Sequence, residues 1–313
     1  MNDIPEEKPK IIVICGPTGI GKTELSLHLT ETFSCGIVSA DSMQIYRHMD
    51  IGTAKPTPEE QDRAPHFMID VADPDEPYDA ARYAAEARKC IAALKQQGKL
   101  PIVAGGTGLY IKALIHGMFK DKPASPEIRQ QLREEAESLG SRHLHDRLAR
   151  HDPRAARRIH PNDTYRIIRA LEVQLITGRP MSECQQAHGF SDAHFDALKI
   201  GLHIERETLY KRINRRVEKM IAAGLLREVQ KLLEMGYQEN IKAMQAIGYR
   251  HMADYIRGRM SWADAVWQMK RDTRRYAKRQ LIWFRKDPEL TWMAPADFEG
   301  VCARIQRFLA GSA

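Results

Sequence analysis

"IIVICGPTGIGKT", residues 11–23, decides the fold class. Its first half is an apolar run rich in β-branched residues, which reads as a strand buried on both faces. Gly16, Pro17, Thr18, Gly19, Ile20, Gly21, Lys22 and Thr23 then match G-x-x-x-x-G-K-[ST], and "GKTELSLHLTETF" (21–33) reads as the helix that follows. A strand, a glycine loop and a helix in that order form a phosphate cradle. Glycines let backbone N–H groups converge on oxyanions, and the helix N-terminus adds its positive dipole end. Lys22 supplies a point charge and Thr23 a hydroxyl for Mg²⁺. A nucleoside triphosphate is the general guest of such a loop, but the pattern alone does not name the guest.

Working outward, "GIVSADS" (36–42), "HFMIDV" (66–71) and "LPIVAGGTG" (100–108) read as further strands. Between the last two, "YDAARYAAEARKCIAALKQQGK" (78–99) sets Tyr83, Ala87, Cys90, Ile91 and Leu94 at helical spacing, with Gly98 as terminator. "LYIKALIHGM" (109–118) begins another helix. The alternation predicts an α/β fold, a P-loop NTPase-like parallel sheet wound on both faces. From 125 to 190 the pattern holds only helices and turns, with "HDPRAARRIHPND" (151–163) as an irregular link. "ALKIGLHI" (197–204) reads as the sheet's last strand. The expected organisation is therefore a core from 8–122 and 196–313, with an all-helical insertion domain at 123–195. Long basic helices close the chain at "TLYKRINRRVEKMIAAGLLREVQKLLEMG" (208–236) and "SWADAVWQMKRDTRRYAKRQLIWFRKD" (261–287).

The 313 residues are 43% hydrophobic and 28% charged, the balance of a globular protein with a real core. The start "MNDIPEEKPK" lacks the basic and apolar regions of a signal peptide, and no run approaches the ~20 apolar residues of a membrane span. Cys15, Cys35, Cys90, Cys184 and Cys302 are scattered without a CxxC pair, which argues against a zinc site or a disulfide framework and fits the cytoplasm. Nothing calls for more than a monomer or for a membrane partner. Residues 1–100 carry 11 Lys/Arg against 16 Asp/Glu, and residues 101–313 carry 37 against 25. The basic part either meets a polyanion or simply presents solvated helices.

Three side chains fall at predicted strand ends. Asp41 would lie beside the phosphate loop, where ligands bind in wound sheets. It could take a proton from a nucleophile, partner Mg²⁺, or cap a helix. Thr107 faces the same crevice or caps the next helix. Asp70 could be a Walker-type metal aspartate or an ordinary strand-end acid. Residues 270–286 hold eight Lys/Arg against Asp272 alone, with Tyr276 and Trp283 interleaved, a pattern suited to phosphate contact and base stacking. Tyr276, Leu281 and Phe284 also recur at a spacing that suits a core.

"GPTGIGKT", "DSMQIYRHMDIGTAKP", "GGTGLYIKAL", "RIIRALEV", "QAIGYR" and "KRQLIWFRK" occur here in the order found in the tRNA dimethylallyltransferases (tRNA isopentenyltransferases), which the chain resembles from the phosphate loop to about residue 287. The resemblance implies transfer of a dimethylallyl group from dimethylallyl diphosphate to N6 of the adenosine beside the anticodon, with Mg²⁺. It assigns the loop, Gly16 to Thr23, to the diphosphate. Asp41 becomes the base, and Thr107 a hydrogen-bonding partner at the reacting centre. Contact with the tRNA anticodon stem-loop is implied for Asp41, Ser42, Met43, Gln44, Thr107 and Arg129. It is implied as well for Tyr165, Arg166, Ile167, Ile168 and Arg169; for Gln245, Ala246, Ile247, Gly248, Tyr249 and Arg250; and for Lys278, Arg279, Gln280, Leu281, Ile282, Trp283, Phe284 and Arg285. Arg206, Arg212 and Arg216 could close over the diphosphate or lie on a solvated face. The loop reads "TGIGKT" where many relatives have "TASGKT", and Tyr165 stands where glutamine is expected. With no zinc-finger tail, the likeness is to the bacterial form. A small-metabolite kinase would explain the α/β half but not the basic helices. An RNA-binding nucleotide switch would explain those helices but lacks an acid at the fourth strand's end. A third alternative, prenylation of free adenine nucleotide, leaves the basic helices without a use.

Overall fold

The structure is a computed structural model that describes residues 8–118, 125–188 and 193–311. Two units divide the chain, one of Met1–Ile115 with His194–Ala313 and the other of His116–Ala193. The first unit begins with β1 (Lys10–Cys15), α1 (Lys22–Thr32), β2 (Cys35–Ala40), α2 (Pro58–Arg63), β3 (His66–Phe67), α3 (Ala80–Gln96), β4 (Leu100–Gly105) and α4 (Gly108–His116). The second holds α5 (Pro126–Leu139), α6 (Ser141–His151), α7 (Pro153–Arg158), α8 (Thr164–Thr177) and α9 (Met181–His188), and no strand among its described residues. The first unit then resumes with β5 (Asp196–Leu202), α10 (Arg206–Ala222), α11 (Leu225–Glu234), α12 (Tyr249–Ile256), α13 (Trp262–Phe284), β6 (Thr291–Met293) and α14 (Phe298–Leu309).

The six strands pair in parallel in the order β3-β2-β4-β1-β5-β6. Ile12 lies beside Ile102, and Ile14 beside both Ala104 and Ile200. Helices cover both faces, so β1 needs no alternation of polar and apolar residues. Ile11, Ile12, Val13 and Ile14 are each at most 1% exposed. Leu25 and Leu29 of α1 and Leu209 and Ile213 of α10 join the β1, β4 and β5 side chains in one core cluster. The carboxyl ends of β1, β4 and β2 thereby lie side by side, which brings the phosphate loop, Gly105-Gly106 and Asp41 to one edge. In the second unit Leu132, Leu144, Leu148, Ile167 and Leu171 form a separate core.

Several expected elements change. The third strand stops at Phe67, because Met68 and Asp70 take positive φ (63° and 56°) and leave the extended region. β5 is not the last strand. Three-residue β6 pairs beyond it, too short to give a periodic signal. The helix expected over 208–236 breaks at Gly224 (φ 99°) into α10 and α11. The expected irregular link contains α7, with Pro153 in its first turn and the Asp152 carboxylate accepting from Ala155 N–H. α3 starts at Ala80 because Asp79 caps it through the Ala81 and Arg82 amides. Among the described residues no helix is long and apolar enough to cross a membrane.

Candidate active site

Between β1 and α1 the loop turns on Gly19 (φ 79°) and Gly21 (φ 109°), conformations that L side chains rarely adopt. Lys22 Nζ curls back over it, donating to the Gly16 and Pro17 carbonyls at 3.0 and 2.9 Å. Burial, then the nearby Arg216, bring the Lys22 ammonium down to about 8, against the opposing pull of Asp41. Thr23 follows in the first turn of α1. α10 supplies a second cationic wall. Its Arg212 Nη1 donates to Ile20 O at 3.2 Å, and Ile213 packs on Gly19. One turn on, Arg216 reaches Thr53 O at 3.5 Å, with burial lowering its guanidinium and Asp41 opposing that shift. Arg206 instead lies over the Tyr210 ring, 5.1 Å from its centroid. Of the three arginines weighed as a lid, 212 and 216 therefore meet the loop region. Cys15 at the end of β1 is a buried thiol pushed up to about 12 by desolvation, consistent with a packing role.

Asp41 follows β2, two strand spacings or about 10 Å from β1. Its Oδ1 accepts from the Met43 and Gln44 amides at 2.9 and 3.4 Å, and Oδ2 has no hydrogen-bond partner among the described residues. Thr107, after β4, donates its amide to Ala40 O at 3.0 Å. Its Oγ1 accepts from Ser42 N–H at 3.0 Å, and its carbonyl takes the Tyr110 and Ile111 amides at the start of α4. Thr107 therefore caps a helix with its backbone and holds the Asp41 turn with its hydroxyl. Tyr276 of α13 comes to the same place. Burial and Asp41 raise its phenol, and the adjacent Thr107 side chain opposes that shift. Gln44 accepts from Ser39 Oγ at 2.9 Å and donates to Ala54 O at 3.1 Å, tying the turn to the loop that follows. Asp70 comes after β3, which lies three strand spacings, about 14 Å, from β1, and its amide donates to Gln44 O at 3.2 Å. Its carboxylate pairs with buried Lys55 at 2.6 Å, which also meets Asp50 at 2.5 Å. The geometry gives Asp70 a structural ion pair.

The 50–55 loop is clamped from α11 and α12. Glu228 accepts from the Asp50, Ile51 and Gly52 amides at 2.7–3.1 Å and from Tyr249 OH at 2.6 Å. A Cβ at Gly52 would collide with the Tyr249 ring. The two glycines after β4 answer to α13. Gln280 Nε2 donates to Gly106 O at 2.9 Å, where a Cβ would strike it, and the Trp283 indole occupies the corresponding space at Gly108.

Against this geometry, the family model described as IPP transferase matches residues 44–287. The chain belongs to the IPP transferase family. It is 56% identical over 303 residues to the tRNA dimethylallyltransferase of Desulfosudis oleivorans, covering 96% of each chain. To the enzyme of that name from Syntrophobacter fumaroxidans it is 54% identical, over 95% of this chain and 87% of that one. Among solved structures, the full-length tRNA isopentenylpyrophosphate transferase of Bacillus halodurans superposes with a TM-score of 0.71 at 41% identity, over 97% of both chains. A eukaryotic dimethylallyltransferase acting on tRNA gives 0.83 at 28% identity, over 97% of this chain and 80% of that one. The family match begins after Asp41, but the whole-chain relatives extend over nearly the full length.

Within this IPP transferase, burial sorts the residues that the family likeness had marked for tRNA. On α13, Lys278 and Arg279 are exposed, as are Ile282 (48%), Trp283 (42%) and Arg285 just past its end. Gln280 and Phe284 face inward, at 6% and 3%, and Leu281 packs on the core. Tyr249 is fully buried and Gly248 lies inside, so they brace the site and cannot offer side chains to RNA. Ala246 and Ile247 are half-buried. Gln245 is exposed, and Arg250 pairs with Asp272 at 2.6 Å. In the helical unit Ile167 and Ile168 are core, while Tyr165 is 77% exposed and the Arg166 side chain 66%. Arg129, Arg133, Thr164, Tyr165, Ile168 and Arg169 line a cleft of about 220 Å³. Beneath it, fully buried Glu172 receives Arg129 at 2.9 Å and Arg169 at 2.7 Å. Burial raises the Glu172 carboxyl, but the two guanidiniums outweigh it and leave it below the usual range. Arg133 and Glu228 do not figure in the sequence reading, which gives Tyr276 only as a stacking surface or a core residue. Arg133 follows Arg129 by one helical turn and was legible in principle. Tyr276 and Glu228 act through contacts that only the fold creates.

Proposed function

We infer that this chain transfers the dimethylallyl group of dimethylallyl diphosphate to N6 of the adenosine adjacent to the anticodon in tRNA, releasing diphosphate. The observation that carries this reading is the open Oδ2 of Asp41, held with Thr107 and Tyr276 beside a phosphate loop. The C1–O bond of the donor breaks, the N6–C1 bond forms, and the N6 proton passes to Asp41 Oδ2. Negative charge grows on the departing diphosphate, facing loop N–H groups, Lys22, Arg212 and Arg216. The donor set fits Mg²⁺ through Thr23. Thr23 would hold it through its hydroxyl with the donor's phosphates, and the described residues hold no preformed cage of three or more acidic, His or Cys ligands. When bound, Mg²⁺ supplies further charge neutralisation on the leaving group.

A base in a folded RNA must leave its stack to be modified, and loop bases are those that can. The exposed cations and Trp283 of α13, with Arg129, Tyr165, Arg166 and Arg169 of the helical insertion, offer phosphate contacts and stacking surfaces for the anticodon stem-loop. The test is label transfer from radiolabelled dimethylallyl diphosphate to tRNA with Mg²⁺ and no ATP. A requirement for ATP, or label appearing on free AMP instead of tRNA, would sink the reading.

A further inference from the structure

We propose that Gln280 is a positioning residue that sets the distance between the donor's phosphate loop and the strand-end turn carrying Thr107 and Asp41. The proposal rests on the functional reading above, but the side chain itself touches neither substrate there. The residue is 6% exposed, and its carboxamide bridges two neighbouring loops. Oε1 accepts from Thr18 N–H in the phosphate loop at 2.9 Å. Nε2 donates to Gly106 O, after β4, at 2.9 Å. The next residue, Thr107, holds Ser42 N–H through its hydroxyl, and Asp41 closes the same turn. Hydrogen bonds and the short backbone steps between them thus link loop and base, with one carboxamide in the middle.

The bridge demands that chemical group. It needs an acceptor at one end and a donor at the other, and of the neutral side chains of this length only glutamine carries both (asparagine is one methylene shorter). A carboxylate there would keep the Thr18 contact and set an oxygen against the Gly106 carbonyl. Gly106 must also lack a Cβ, because the Gln280 amide nitrogen fills that space. Prenyl transfer needs the allylic carbon and N6 in attack geometry, and a misplacement of about 1 Å costs on the order of 10²-fold.

The experiment compares Gln280→Leu and Gln280→Glu with the wild type. Q280L should lower kcat about 10- to 100-fold, with affinity for the anticodon stem-loop within about twofold. Q280E should be impaired at pH 8 and recover relative to the wild type toward pH 6, because the protonated carboxyl restores the donor to Gly106. Lys22, Asp41, Arg216 and Tyr276 face this junction in both proteins, so the ratio isolates position 280. Loss of stem-loop affinity at unchanged kcat would make Gln280 an RNA contact, and a flat Q280E ratio would remove the bridge; either overturns the proposal. Wild-type protein that transferred no label would defeat the functional reading alone. Backbone hydrogen exchange over residues 18–21 still decides the tether: Q280L should lose protection at Thr18, and unchanged protection overturns it.

Discussion

Asp41 uses one carboxylate oxygen on the amides of its own turn and keeps the other open, which fixes its direction without neutralising it. Asp41→Asn keeps the shape and removes the basicity. It should cut turnover by roughly 10²–10⁴-fold while stem-loop affinity stays near wild type. Unchanged turnover in single-turnover transfer would take Asp41 out of the base role. Lys22 carries a pH signature. Burial and Arg216 place it at about 8, so it is a cation below that pH and neutral above it. In the free enzyme, kcat/KM for dimethylallyl diphosphate should therefore fall as pH rises through about 8. Lys22→Arg, which stays charged, should flatten that limb, and a limb unmoved by the substitution would assign it to another group.

Helix by helix, the site is assembled from outside the sheet. α11 and α12 clamp the 50–55 loop through Glu228 and Tyr249, and α13 reaches the loops after β1 and β4 through Gln280. Glu228→Ala leaves three backbone donors and a buried phenol without their acceptor. The expected cost is about 2 kcal/mol, reduced from the fully buried case because Asp50 is exposed. Hydrogen exchange at Asp50, Ile51 and Gly52 reads it directly, and wild-type protection there would contradict the clamp. The long 208–236 helix of the sequence reading became two because Gly224 takes a left-handed conformation, a choice that the amphipathic pattern does not record. β6 leaves no signal in the sequence because three residues carry no period.

Across the whole molecule, cations gather on two surfaces that belong to different units, the outer face of α13 and the Arg129–Tyr165 cleft. If both meet one RNA, weakening each should lower affinity independently and reduce the dependence on salt. Replacing Lys278 and Arg279 by alanine should lower the slope of log K against log salt by about two, one for each phosphate no longer neutralised. Replacing Arg129 and Arg166 should lower it similarly, with the reductions in binding free energy adding when the four changes are combined. Filter binding of the stem-loop at several salt concentrations measures this. A set that leaves the slope unaltered belongs to the solvated face.

Local chemistry made the phosphate cradle legible from sequence, because glycine spacing, Lys22 and Thr23 act within one strand–loop–helix unit. The buried run of β1 and the strand-end position of Asp41 were legible for the same reason. Their meaning depends on neighbours close in the chain. The fate of Asp70, the inward turn of Tyr249 and Gln280, and the arrival of Arg216 and Tyr276 at the site were settled only in three dimensions. Each depends on strand order or on a helix face meeting residues more than a hundred positions away or across the sheet. A basic-aromatic helix reads alike on every side until packing decides which side chains become core and which stay in water.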